Sequence, residues 1–395
     1  MPASASSLSA LLPASAVVRG PLPAAESIRL VQALKTVPDP RHRRGRRHGL
    51  QSVLLLALQA VMAGASSWVA IAQWAAIAPQ ALGVAGASPS AATFRRVLAA
   101  IDITAVQAAL TTWVTGRQAR ARAQEPAGAT VAQSRTVLAV DGKTLRGSRD
   151  ADGRQTKLVC VYDCAQQLIL TQSAVVAGDE VAAFAVALAT LPELAGVLVT
   201  ADALHCQRAH ADFLAARGGH SLFTVKGNQP LLREELRRLP WAQAPGTGRR
   251  GTGHGRTESR SIKALDLDGT PEASLFPHGA RAIKVVRRRR VGAGKPSVEI
   301  VYAVTSLDHR GADCRLLADW LQGHWAIENS VHHVRDVTQR EDASRIRLGA
   351  GPQLMAALRN TATNIARLGG HANIAAAQRD AAWSPTAISD ALRAA

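Results

Sequence analysis

Three acidic side chains, far apart in the chain, sit where a fold could bring them to one point. Asp141 closes the strand-like run Thr136-Val-Leu-Ala-Val140, Asp202 closes Val197-Leu-Val-Thr-Ala201, and Glu328 lies inside the helix-patterned stretch from Trp320 to Ser330. An apolar strand buried in a sheet presents a carboxylate at its carboxyl edge, and a helix crossing that edge supplies a third without local sequence proximity. Carboxylate oxygens suit Mg²⁺ or Mn²⁺, which keep water and substrate phosphate in their remaining positions. Two such ions about 3.5–4 Å apart clamp the attacking and leaving oxygens of an in-line displacement at phosphorus. The chemistry suggested is metal-dependent phosphoryl transfer.

Each residue alone has a plainer reading. Asp after a strand commonly caps a helix or forms a turn, and most helix glutamates are solvated. The helix around Glu328 adds weight: positions 324, 328, 332 and 335 advance by four, four and three, which places His324, Glu328, His332 and Arg335 on one face. An acid for metal and bases for phosphate would then meet one substrate. The alternative for the same face is a His/Glu/His transition-metal site, although no further Cys or His pattern accompanies it. Gly142-Lys-Thr144 hints at a nucleotide loop, but Val137 stands where that loop needs glycine.

Composition bounds the partner. Lys and Arg total 47 against 29 Asp and Glu, a net charge of +18 with a pI near 11.1, and such a field favours a polyanion, nucleic acid first. The charge is clustered in the run Arg41-His-Arg-Arg-Gly-Arg-Arg47, which holds Arg41, Arg43 and Arg44, then at Arg249, Arg250, Arg256 and Arg260, and then in the run Arg287, Arg288, Arg289 and Arg290. Four cysteines without C-x-x-C spacing argue against structural zinc and against secretion. The stretch from Leu50 to Trp74 is apolar enough to raise a membrane span. Gln51, Ser52, Gln59, Ser66, Ser67 and Gln73 interrupt it, so packed helices are the reading taken. No positive charge precedes Arg19, so a secretory signal lacks its basic start. A cytoplasmic, nucleoid-associated protein without membrane contact or organic cofactor is expected.

The pattern divides the chain. Residues 1–24 form an Ala/Ser/Pro-rich flexible segment, 25–125 a small all-helical domain, and 126–134 a linker. Helices are expected near 50–63, 66–78, 91–100 and 104–122. A catalytic domain spans 135–375, interrupted by a β-rich insertion over 241–307, and 376–395 form a tail. After the strand before Asp141, two strands near Leu158–Tyr162 and Leu168–Val176 look like a hairpin. A helix near Glu180–Leu191, the strand before Asp202, a helix near Arg208–Arg217 and the strand Ser221–Val225 follow. Three antiparallel strands and then strand, helix, strand describe an α/β fold with an RNase-H-like sheet.

Five ordered motifs carry a family resemblance: Val140-Asp-Gly-Lys-Thr-Leu-Arg-Gly147, Thr200-Ala-Asp-Ala-Leu-His205, Thr224-Val-Lys-Gly-Asn-Gln-Pro230, Gly253-His-Gly-Arg256 and His324-Trp-Ala-Ile-Glu-Asn329. With Val37-Pro-Asp-Pro-Arg41 and Ala92-Thr-Phe-Arg-Arg96 near the amino terminus, the chain resembles bacterial insertion-sequence DDE transposases of the ISAs-type branch, which includes the H-repeat-associated proteins. The resemblance implies that Asp141, Asp202 and Glu328, spaced 61 and 126 positions apart, are the catalytic, metal-holding triad, with a pair of Mg²⁺ or Mn²⁺ ions. It implies a helical domain that binds transposon ends, double-stranded DNA as both donor and target, and a homodimer in the DNA complex. Lys143, Arg146 and Lys226 become candidate phosphate contacts. His324 stands where Arg is usual, Arg335 where Lys is usual, and Leu321 where Tyr is usual, so the phosphate clamp is altered. Trp325 resembles by position a tryptophan that stacks on a flipped base, with core packing as its alternative. A structure-specific nuclease of the same fold and an inactive or domesticated DNA-binding relative remain the competing readings.

Overall fold

The computed structural model describes residues 22–77, 87–123, 135–253, 255–267, 270–292 and 294–383. The proposed linker 126–134, most of the segment 1–24, His254 and the end of the tail lie outside the described residues.

Five helices lead the chain: α1 (Ala24–Lys35), α2 (Leu50–Met62), α3 (Trp68–Ile77), α4 (Ala91–Ala99) and α5 (Ile103–Arg122). Three have the caps their sequences offer, the first being Ser67 Oγ, which accepts from Ala70 N of α3 at 3.2 Å. Ser90 Oγ accepts from Thr93 N at 3.3 Å, and Asp102 Oδ1 accepts from Thr104 N and Ala105 N at 2.9 and 3.1 Å, satisfying donors that a helix start leaves open. The sequence pattern misses α1, which begins after Pro23 with no side-chain cap. Tertiary contacts fix it instead: Leu30, Val31 and Leu34 are buried, and Glu26 is bound by Arg120 of α5 at 2.9 Å. Among the described residues no single helix is long and apolar enough to cross a membrane.

The strands are β1 (Val137–Thr144), β2 (Lys157–Asp163), β3 (Leu168–Ala174), β4 (Leu198–Ala201), β5 (His220–Val225), β6 (Gly246–Gly253), β7 (Arg256–Asp266), β8 (Arg281–Val291) and β9 (Ser297–Thr305). They form one sheet in the order β3-β2-β1-β4-β5-β9-β8-β7-β6. β1, β2 and β3 are antiparallel neighbours, while β4 and β5 run parallel to β1. This is the RNase-H-like α/β arrangement. The β-rich segment after residue 241 is no separate layer: β9 pairs antiparallel with β5, closing an edge that would otherwise expose unpaired backbone groups.

Helices α6 (Glu180–Ala189), α7 (Arg208–Ala216), α8 (Pro230–Arg238), α9 (Cys314–Gly323), α10 (Gly351–Leu368) and α11 (Ile374–Trp383) complete the fold, with π-helical turns over Glu328–His332 and Val334–Thr338. The sequence pattern also misses α8, although Pro230 at its first position is well suited to start a helix. Every residue of α10 from Leu354 to Ile365 is buried. That helix touches both α2 and β3, and one apolar cluster runs from Leu54 and Phe94 through Leu358 to Val140 and Val161. The amino-terminal helices therefore share their core with the sheet. The stretch 376–395, read as a tail, begins inside α11, which packs on α2 and α10.

Strand alternation decides what each face meets. In β1, Leu138 and Val140 join the cluster with Phe184 of α6, whereas Ala139 faces the other way with Cys160, Tyr162, Ala326, Ile327 and Val331. Asp141 has the parity of Ala139. It therefore points to the face covered by the helix that carries Glu328. At the end of the same segment, a Cβ on Gly147 would lie 2.1 Å from the Ser344 carbonyl oxygen, so only glycine permits that backbone approach.

Candidate active site

The β1–β4 ladder ends at the pair Val140 and Ala201, so Asp141 and Asp202 are the next residues on adjacent parallel strands, whose usual spacing is about 4.8 Å. The sequence pattern ends β1 at Val140, but the strand runs on to Thr144. β2 keeps pairing past that point, with Asp141 opposite Cys160, while β4 stops. The loss of one neighbour leaves the Asp141 carboxylate at an open notch. Asp141 Oδ1 accepts from Gly142 N at 2.9 Å. Asp202 Oδ1 accepts from Leu204 N at 2.9 Å and caps the turn Ala203–His205, so the capping role holds for this residue alongside its place in the site.

Glu328 comes from the opposite side. After α9 the helix loosens at His324 and Trp325 and continues in wide π turns, a feature that recurs at functional sites. Asp141, Asp202 and Glu328 line one cavity of about 290 Å³ with Lys226, His324 and Trp325. His332 Nδ1 lies 3.3 Å from Glu328 Oε2 and 3.6 Å from Asp141 Oδ2, and one ligand atom each of Asp141, Glu328 and His332 fall within 4.8 Å of one another.

Negative charge is crowded here. Burial, and then the charge of Glu328, pushes the Asp141 carboxyl up to about 7. Glu328, half exposed, is held below the usual carboxylate range by its hydrogen bond to His332. A divalent cation would supply the missing positive charge, and hard carboxylate oxygens are the donors such an ion prefers. The residues present thus fit Mg²⁺ or Mn²⁺. The His/Glu/His alternative takes a different form, because Asp141, not His324, stands beside Glu328 and His332.

Several expected phosphate contacts are engaged within the protein. Arg335 is fully buried: its Nε and Nη2 donate to Glu341 at 2.8 and 3.0 Å, and Arg359 donates to the same carboxylate at 3.1 Å. The cause is the π geometry. At roughly 80° per residue rather than the 100° of an α-helix, position i+4 stays close to Glu328 while i+7 swings to the far side. Lys143 is buried and pairs with Asp336 at 2.6 Å. His324 sits 3.1 Å from Thr200 Oγ1, and burial lowers it to about 4, so it is no cationic substitute for arginine. Arg41 is clamped by Asp39 at 2.8 Å and donates to the His48 carbonyl at 2.7 Å.

Other candidates remain outward. Arg43 and Arg44 are exposed on a short 3₁₀ turn, and Arg146 is exposed, 3.8 Å from Asp342. Lys226 is exposed and Trp325 is 52% exposed at the cavity, so Trp325 is not a core residue. Arg288, Arg289 and Arg290 are exposed on β8, and Arg287 lines the cavity.

Two features escaped the sequence reading as site elements. Arg249, Arg260, Arg287 and Glu299 are cross-strand partners in one row, and all four line the cavity of the three acids. The runs of arginine were visible in sequence, but only the sheet register selects which members face inward. Glu180, in the first turn of α6, lies against Gly142, where an added Cβ would meet its Oε1 at 1.9 Å. Its sequence signal, an acid after the N-cap Asp179, is shared with many ordinary helices.

An RNase-H-like sheet that gathers two strand-end aspartates and a helical glutamate in one cavity is the arrangement of a DDE transposase domain, and the chain belongs to the family described as Transposase DDE domain, matching it over residues 132–365, with a match to the DDE_Tnp_1-associated family over residues 31–114. Among relatives, it is 28% identical over 356 residues to YncI of Escherichia coli O157:H7, named as a transposase, covering 86% of this chain and 87% of that one. It is 26% identical over 355 residues to YhhI of Escherichia coli K12, named as an H repeat-associated transposase, covering 85% and 90%. A protein encoded in the dhlA 3′ region of Xanthobacter autotrophicus is 33% identical over 286 residues, covering 68% of this chain and 92% of the relative.

Proposed function

We propose that this protein mobilises an insertion sequence by binding its terminal inverted repeats, cleaving a strand at each end and transferring the freed 3′-OH to target DNA. The observation that carries this reading is the convergence of Asp141, Asp202 and Glu328 on one cavity in a chain of the DDE family. A pair of divalent ions, when bound, supplies Lewis-acid activation of water or a 3′-OH and neutralises charge on the leaving oxygen. Asp141, Asp202 and Glu328 would hold the ions. Lys226 and the row Arg249, Arg260 and Arg287, which would exchange their partly exposed pairs with Asp319, Glu258 and Glu299 for phosphate, favour DNA in the cavity, and the amino-terminal helices with Arg43 and Arg44 bind the element ends. No covalent protein intermediate is needed, since each step is a direct displacement at phosphorus. Bringing two ends together calls for a dimer on DNA. The test is incubation of purified protein with labelled end DNA and Mg²⁺ or Mn²⁺. Nicks bearing 3′-OH groups followed by joined products are expected. Cleavage without joining would instead indicate a nuclease, and binding without cleavage an inactive relative.

The run Arg287 to Arg290 divides by strand alternation. Arg289 shares the cavity-side face of Arg287, and Arg288 and Arg290 lie on the other. Replacing Arg287 and Arg289 by Gln should flatten the salt dependence of DNA binding by roughly 0.9 per lost contact, up to about two units. The same change at Arg288 and Arg290 should leave the slope nearly unaltered, and equal effects of the two pairs would refute a cavity-side DNA path.

Trp325, half exposed beside Glu328, is placed to stack on an extruded base. Trp325→Ala should change unfolding stability by no more than about 0.5 kcal/mol, as at other surface positions. Loss of about 1–3 kcal/mol of stacking should lower the double-strand-break yield by between about fivefold and roughly 160-fold while first nicks accumulate. A lowered melting temperature with unchanged step ratios would return the residue to a packing role.

A further inference from the structure

The triad leaves one residue of the site without a task. His332 is 5% exposed, and its Nδ1 is directed at Glu328 Oε2, 3.3 Å away, and at Asp141 Oδ2, 3.6 Å away. Its Nε2 is buried without a hydrogen-bond partner. A hydrogen bond from Nδ1 accounts for the Glu328 contact but not for the second, because 3.6 Å exceeds hydrogen-bond range. One cation shared by the three groups accounts for both. The ring lies among carboxylates, with one ligand atom each of Asp141, Glu328 and His332 within 4.8 Å of one another, and a neutral imidazole nitrogen is the form in which histidine binds metals.

We infer that His332 Nδ1 is a third protein ligand, with Asp141 and Glu328, to one of the divalent ions, and that this nitrogen tilts the position toward Mn²⁺ over Mg²⁺. The inference rests on the metal-dependent reading above. Mg²⁺ favours an oxygen-rich, largely hydrated shell, whereas first-row transition ions accept imidazole nitrogen more readily. The carboxylates alone would leave the choice between the two ions open.

The test is Mn²⁺ titration of the full chain, followed by continuous-wave and pulsed electron paramagnetic resonance. Wild-type protein should show a ¹⁴N coupling from imidazole on the bound Mn²⁺. That coupling should vanish in His332→Gln and persist in His324→Gln. His332→Gln should weaken Mn²⁺ binding by about tenfold or more, since even changes behind the ligands cost 10–100-fold, and should weaken Mg²⁺ binding less. Should His332→Gln fail to fold, His324→Gln prepared with ¹⁵N-labelled histidine still decides, because His332 is then the histidine grouped with Asp141 and Glu328 among the described residues, and its coupling must change to that of ¹⁵N. Bound Mn²⁺ with no nitrogen coupling, or a coupling that survives His332→Gln, overturns the inference and leaves the carboxylate site standing. Failure of wild-type protein to bind Mn²⁺ at all overturns the metal-dependent reading with it.

Discussion

Asp141→Asn, Asp202→Asn and Glu328→Gln are each expected to reduce strand cleavage by at least about a thousandfold while DNA affinity changes by no more than about threefold. An amide keeps the shape of the carboxyl group and removes the charge that holds the ion. Lewis-acid stabilisation by the ion is worth several kcal/mol, and each 1.36 kcal/mol is a factor of about ten in rate. Asp202 also caps the turn Ala203–His205, and Asn preserves that role because its side-chain oxygen still accepts a backbone N–H. Single-turnover cleavage of end DNA beside a binding titration separates the two effects. Cleavage within tenfold of wild type in any one variant would remove that residue from the metal-holding set.

A comparably large effect, on stability, is expected at Glu341. This carboxylate is 2% exposed between the buried guanidiniums of Arg335 and Arg359, and Arg335 Nη1 reaches the Sγ of Cys160, the partner of Asp141 in β2, at 3.5 Å. Glu341→Gln leaves two buried cations facing a neutral amide and should cost about 3–5 kcal/mol of folding stability. Joint replacement of Arg335, Glu341 and Arg359 by Met should cost much less, because no unpaired buried charge remains. Burial works against the charged form of Glu341, yet the two arginines hold its pKa below the usual value. A depressed carboxylate pKa stabilises the fold above the unfolded value near 4.5, and that stability is lost as pH falls through the folded pKa. Urea unfolding at pH 7 and in stepwise more acidic buffer measures both expectations. A loss below about 1 kcal/mol for Glu341→Gln would show the cluster to be hydrated or rearranged.

The strand-borne half of the site was legible because short continuous apolar runs read as central strands buried on both faces, each ending in Asp at the carboxyl edge. Val137–Val140 and Leu198–Ala201 are buried strands, and their parallel register sets Asp141 beside Asp202. The helical half was legible only to position i+4. An α-helical wheel carries Glu328 to His332 correctly and then misplaces Arg335, because nothing in the run Glu328-Asn-Ser-Val-His332 announces a π turn. Lys143 reads as a free cation until Asp336, 193 positions away, closes on it. The arginines of β6, β7 and β8 were visible as charge, but their inward row depends on cross-strand register, which a glycine-rich, apolar-poor stretch does not specify. Helices α1 and α10 draw their stability from shared packing rather than caps, so their local sequences understate them.

The most direct test of the divided carboxylate site is anomalous diffraction from crystals of the wild-type protein soaked in Mn²⁺. The expected result is a peak inside the cavity between the carboxyl groups of Asp141 and Glu328, absent from crystals of Asp141→Asn treated identically. A fully occupied Mn²⁺ peak bound only by residues outside Asp141, Asp202 and Glu328, or a cavity that stays free of Mn²⁺ at saturating concentration, would contradict a metal-dependent triad.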